Sequence, residues 1–99
     1  MRRILVVEDE RHLREGIAEA FREADHEVVE AEDGRQGLEC VEQQFFDLVI
    51  TDYKMPGYDG LELLRRIRMI NEATSVIMMT AYGTVEGAVQ AMRLGAYDY

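Results

Sequence analysis

Asp47-Leu48-Val49-Ile50-Thr51-Asp52-Tyr53-Lys54-Met55-Pro56-Gly57-Tyr58-Asp59-Gly60 begins as a short apolar run, breaks on an acid and ends in turn residues. Leu48, Val49 and Ile50 are too continuous for a strand buried on one face and too few for a helix, which predicts a strand covered on both sides. Asp52 stands where that strand leaves its sheet. Pro56, the only proline, cannot donate to a sheet ladder, and with Gly57 and Gly60 it marks a loop. Asp59 is placed to cap a helix whose apolar positions start at Leu61. The layout presents the Asp52 carboxylate at the rim of a parallel sheet.

The same punctuation recurs on either side. Ile4-Leu5-Val6-Val7 is a second apolar run, and it too ends in acids, Glu8-Asp9-Glu10. Leu13, Ile17, Phe21 and Ala24 follow at helical spacing with charges between them, until Asp25-His26 breaks the pattern. Glu27-Val28-Val29-Glu30-Ala31 reads as a strand polar enough for a sheet edge. Asp33-Gly34 forms a turn and cap before a second helix carried by Leu38, Val41 and Phe45. Beyond the quoted stretch, Leu61, Leu63, Leu64, Ile67 and Ile70 give a third helix with a wide apolar face, ended near Asn71. Ser75-Val76-Ile77-Met78-Met79-Thr80 is a fourth, central-looking strand, and Thr84 caps a fourth helix through Val85, Ala88, Val89 and Met92 that Gly95 stops. Ala96-Tyr97-Asp98-Tyr99 begins a further element. Each strand-plus-helix unit is roughly 20–28 residues, the size of a strand with its crossover helix. Strict alternation argues a single α/β domain: a parallel sheet, helices on both faces and right-handed crossovers.

Composition bounds the chemistry. The 99 residues suffice for one domain with one core. A net charge of −9 argues against direct nucleic-acid binding, which needs clustered Lys and Arg. Cys40 is the single cysteine, so no intrachain disulfide forms and nothing points to an oxidising compartment. No apolar run approaches the ~20 residues of a membrane span. A cytoplasmic location without membrane attachment is the expectation.

Ligands of open parallel sheets bind beyond the carboxyl ends of strands, where strand order reverses. Glu8 and Asp9 follow the first strand and Asp52 ends the third; if those strands are neighbours, three carboxylates converge in one crevice. Such acids repel, raising their pKa values unless a cation neutralises them. An all-oxygen donor set with room for water suits Mg²⁺. Thr80 adds a hydroxyl on the same rim, and the set matches the needs of phosphoryl chemistry. Each acid alone has a plainer reading, the first pair above all, since acids favour helix N-termini. Their joint placement at three strand ends favours the functional one. His12 and His26 share no ligand or triad spacing with these acids and read as helix-end or surface residues. Cys40, beside Leu38 and Val41, reads as core or near-core.

With these segments in place, the whole chain resembles the receiver domain of two-component response regulators. Val6-Val7-Glu8-Asp9-Glu10 is similar to that family's first strand and acid pair. The quoted stretch resembles its phosphoacceptor segment, and Val76-Ile77-Met78-Met79-Thr80-Ala81 its signalling strand. The resemblance implies a flavodoxin-like, doubly wound sheet of strand order 2-1-3-4-5, with its switch point between the first and third strands. It implies that Asp52 accepts a phosphoryl group from a histidine kinase. It further implies that Asp9, Glu8, Asp52 and the backbone carbonyl of Lys54 hold Mg²⁺ (or Mn²⁺). Thr80 would bind the phosphoryl group, small Ala81 would leave it room, and Tyr99 would be the aromatic switch. The run from Thr80 to Tyr99 looks most like receivers of enhancer-binding transcription activators, whose ATPase and DNA-binding output domain is not in this sequence.

The family also keeps a lysine just beyond the aromatic switch, on its fifth strand. Here the only lysine is Lys54, on the wrong loop to replace it. Residues 1–99 therefore read as a receiver truncated at its C-terminus, with the fifth strand and helix missing or only begun. That reading carries two expectations, impaired phosphorylation and self-association through an uncovered fourth strand and first helix. Two other functions compete. One is a receiver-like binding module that is not phosphorylated efficiently. The other is an Mg²⁺-dependent phosphatase with Asp52 as nucleophile, although such enzymes place a second acid where this chain has Lys54.

Overall fold

Strands that are apolar on both alternating faces have to be sandwiched between helices, and the computed structural model of the chain shows that arrangement. It describes residues 1–55 and 58–79. The elements are β1 (Arg3–Val7), α1 (Arg11–Glu23), β2 (Glu27–Ala31), α2 (Gly34–Gln43), β3 (Leu48–Asp52), α3 (Gly60–Ile70) and β4 (Ser75–Met79). The strands form one parallel sheet in the order β2-β1-β3-β4. The positions expected to hold Pro56, Gly57, Thr80, Ala81, Tyr99 and the fourth helix lie outside the described residues.

The pleat explains the unbroken apolar runs. Leu5, Val7, Val49, Val76 and Met78 join Val41 of α2 and Leu63, Leu64 and Ile67 of α3 in one core. Ile4, Val6 and Ile50 project to the other face, where Ile17 and Phe21 of α1 pack. Alternate residues of each strand thus serve different cores, so no polar alternation survives in β1 or β3. β2 lies at an edge of the sheet, as its Glu27 and Glu30 foretell.

Helix ends follow local chemistry. Glu10, Asp33 and Asp59 are the N-caps of α1, α2 and α3, each carboxylate accepting backbone N–H groups of the first turn. After α1, Asp25 adopts φ 66°, a left-handed conformation that reverses the chain into β2. Three expectations about helix faces need correction, the first being Ile70, which ends α3 and is 46% exposed rather than part of its apolar face. Ala24 is the exposed C-cap of α1, not part of its apolar stripe, and Leu13 is 49% exposed. Phe45 lies beyond α2 and is 44% exposed, while its neighbour Phe46 is 1% exposed and fills the core. α2 ends at Gln43, so the chain is already extended there and alternate residues face opposite ways.

Candidate functional site

Parallel pairing decides what the strand ends present. Val7 is in register with Thr51, so Glu8 and Asp9 emerge beside Asp52. β2 lies on one side of β1 while β3 and β4 lie on the other, so the chain changes direction between β1 and β3. A crevice opens at the carboxyl edge of a sheet at such a point. One carboxylate oxygen from each of Glu8, Asp9 and Asp52 lies within 4.8 Å of the others. The three acids singled out from the sequence therefore meet.

Their environments differ. Glu8 is 2% exposed, Asp52 half-buried and Asp9 exposed. Burial pushes the Glu8 carboxyl up to about 7, and contacts with Asp9 and Asp52 add to the rise. The Glu10 N–H, donated to Glu8 Oε2 at 2.9 Å, opposes it. Repulsion among the acids is real but ranks below desolvation, which the sequence could not reveal. The third consecutive acid, Glu10, stays out of the cluster. Its carboxylate accepts N–H groups from Leu13 at 2.6 Å and His12 at 3.2 Å, which hold its pKa below the usual value.

The backbone of Asp52 is fixed from two sides. The Thr51 hydroxyl donates to the Asp52 carbonyl at 3.1 Å. The start of α3 folds back on the same strand end, with the Gly60 N–H on the Tyr53 carbonyl at 2.7 Å. A Cβ at Gly60 would run into the Asp52 carbonyl and Met78 Sδ, so this approach requires glycine. Asp59 contributes the α3 cap at 2.9 Å from the Glu62 N–H rather than a ligand. Gly34 makes a second close approach, since a Cβ there would lie 2.6 Å from Tyr58 Cβ and carbonyl oxygen. Lys54 follows Asp52 in the loop with an exposed side chain.

Among the described residues, none of the three clustered carboxylates is held in an ion pair. Three unneutralised oxygen donors at this spacing, one of them desolvated, fit a hard divalent cation. The other singled-out groups do not join them. His26 Nδ1 accepts the Arg2 N–H at 3.1 Å and its ring lies 6.2 Å from Phe21. His12 approaches Glu10 at 3.6 Å. Cys40 is half-buried on the core, and burial, with the Glu39 charge, pushes its thiol pKa up. Arg14 escaped the sequence reading. It reads as one more charge on a solvated helix face, yet it is buried, and no local signal in the sequence marks it.

The chain is similar to known proteins over almost its whole length. The family model described as the response regulator receiver domain matches residues 4–99. Response regulator protein FleR of Pseudomonas aeruginosa is 43% identical over 97 residues, which are 98% of this chain and 20% of that protein. Transcriptional regulatory protein ZraR of Escherichia coli is 43% identical over 96 residues, 97% of this chain and 22% of that one. The chain thus spans about a fifth of the length of these relatives. Among solved structures, response regulator TrrA of Thermotoga maritima, in complex with Mg²⁺ and BeF, superposes with a TM-score of 0.89 at 36% identity. The match covers 100% of this chain and 84% of that one.

Proposed function

Because this chain belongs to the response regulator receiver domain family, a family of phosphoacceptor signalling modules, we propose that Asp52 is its phosphoacceptor. Asp9, Asp52, Glu8 and the backbone carbonyl of Lys54 would hold a divalent cation, Mg²⁺ or Mn²⁺. When bound, that cation supplies positive charge against the phosphoryl oxygens. The Asp52 carboxylate attacks the phosphorus of a phosphohistidine on a kinase. An O–P bond forms as the P–N bond breaks, and the electron pair stays on the imidazole. Thr51 and the start of α3 keep the Asp52 main chain in place during the attack. Thr80, Ala81 and Tyr99 are proposed from the resemblance to read the modified state.

The convergence of three carboxylate oxygens within 4.8 Å at the ends of β1 and β3 carries this reading. A histidine kinase partner, an output domain with ATPase and DNA-binding activities, and a cytoplasmic setting belong to the same proposal. No helix among the described residues is long and apolar enough to cross a membrane. A phosphatase would need a general acid two residues after its nucleophile, and Lys54 occupies that place.

Intact mass after treatment with acetyl phosphate and Mg²⁺ tests the proposal. We expect one added phosphoryl group in the parent chain and none in Asp52→Ala or without Mg²⁺. An adduct that persists in Asp52→Ala would overturn the assignment of the site.

A further inference from the structure

Arg14 projects from α1, and its side chain is 10% exposed. Its Nε donates to Glu30 Oε1 on β2 at 3.3 Å. Its Nη2 lies 4.0 Å from Glu32 Oε1, just beyond β2. The remaining arm, Nη1, donates at 3.0 Å to the backbone carbonyl of Glu8. That carbonyl belongs to the peptide joining Glu8 to Asp9. The N–H of Glu8 is itself held by the Ala31 carbonyl of β2 at 3.1 Å. Both peptide units of Glu8 are thus anchored to β2, one directly and one through the guanidinium.

Packing alone does not explain this placement. A buried guanidinium is costly unless its donors are satisfied, and an ion pair with Glu30 alone would leave Nη1 facing the acid loop. Arginine's rigid planar fork allows simultaneous donation to a carboxylate on one strand and a carbonyl beyond another. Glu30 is itself held from its other oxygen by Arg22 Nη1 at 3.1 Å, so the anchor point is fixed. Asp9, exposed at the end of β1, has its main chain set by the peptide that Arg14 grips.

We propose that Arg14 is a positioning residue for the cation site, clamping the Glu8–Asp9 peptide so that the Asp9 carboxylate faces Asp52. This rests on the reading of Glu8, Asp9 and Asp52 as the site for a divalent cation. Groups that orient metal ligands without touching the metal are commonly worth ~10–100-fold in affinity.

The test measures the Mg²⁺ dissociation constant by titration calorimetry on the full chain, at a temperature where every variant is folded. Arg14→Met should weaken Mg²⁺ binding about tenfold. Arg14→Lys, which keeps the charge but cannot span both acceptors, should also weaken it, and it keeps the test readable if Arg14→Met does not fold. Val41→Ala, a core truncation at the C-terminal end of α2, controls for lost stability and should leave the constant unchanged. Parent-like affinity in both Arg14 variants, with loss in Asp9→Asn, overturns the clamp alone. Parent-like affinity in Asp9→Asn overturns the cation site beneath it. Equal weakening in Val41→Ala shows the effect to be general destabilisation and also overturns the clamp.

Discussion

Glu8 shows how much a single residue's role depends on its surroundings. Its side chain has almost no access to water, and its ordinary carboxylate character is suppressed mainly by that burial. Without a cation, its negative charge beside Asp9 and Asp52 works against the folded state. Glu8→Gln keeps the shape and an oxygen able to accept the Glu10 N–H while removing the charge. At about pH 8 without metal, where the wild-type carboxyl is ionised, we expect this variant to be more stable by about 1 kcal/mol. That corresponds to roughly 4–8 °C in Tm for a domain of this size. Added Mg²⁺ should stabilise the variant less than the parent. Thermal melts with and without Mg²⁺ check both statements, and an unchanged or lower metal-free Tm would contradict the first. Glu8 is legible in the sequence as a candidate site residue because it directly follows an apolar strand. Its burial is not, because desolvation is imposed by elements distant along the chain. Arg14 was invisible for the same reason. Its spacing on α1 looks solvated until β2 supplies Glu30.

At the scale of elements, the three helices among the described residues start alike, with an acid whose carboxylate satisfies free N–H groups of the first turn. Asp33 does this for α2, accepting the Gln36 N–H at 2.8 Å. Asp33→Ala should cost about 1 kcal/mol of stability, and Asp33→Asn should recover most of it. Denaturant titration measures both, and equal losses in Ala and Asn would rule out capping as the cause. The strands were readable because each apolar run is short and bounded by acids or turn residues. Helix ends were less so. Nothing local separates Phe45 from Phe46, yet the end of α2 two residues earlier turns one outward and the other into the core.

At the scale of the whole molecule, the net charge of −9 is held within a radius of gyration of 12.2 Å. The Debye length is ~30 Å at 0.01 M salt and ~10 Å at 0.1 M, so like charges across the fold repel at low salt and are screened at moderate salt. We expect Tm to rise as NaCl increases from about 0.01 M to about 0.1 M. At matched ionic strength, Mg²⁺ should add a further site-specific gain of about 1.4 kcal/mol when its concentration is tenfold above Kd. Asp9→Asn should lose that increment and keep the NaCl response. If Mg²⁺ and NaCl act identically at equal ionic strength, the cation is screening charge rather than occupying a site.

Local pattern alone determined that strands alternate with helices, that β1 and β3 are covered on both faces, and that acids stand at their exits. Those properties depend on residues close together in sequence, through side-chain periodicity, capping and turn chemistry. Which strand ends lie side by side was a matter for the tertiary structure. The order β2-β1-β3-β4 places Asp52 against Glu8 and Asp9, and it brings Glu30 under Arg14. Crossover connections set that order, and the burial that reshapes Glu8 and Arg14 exists only once distant segments exclude water together.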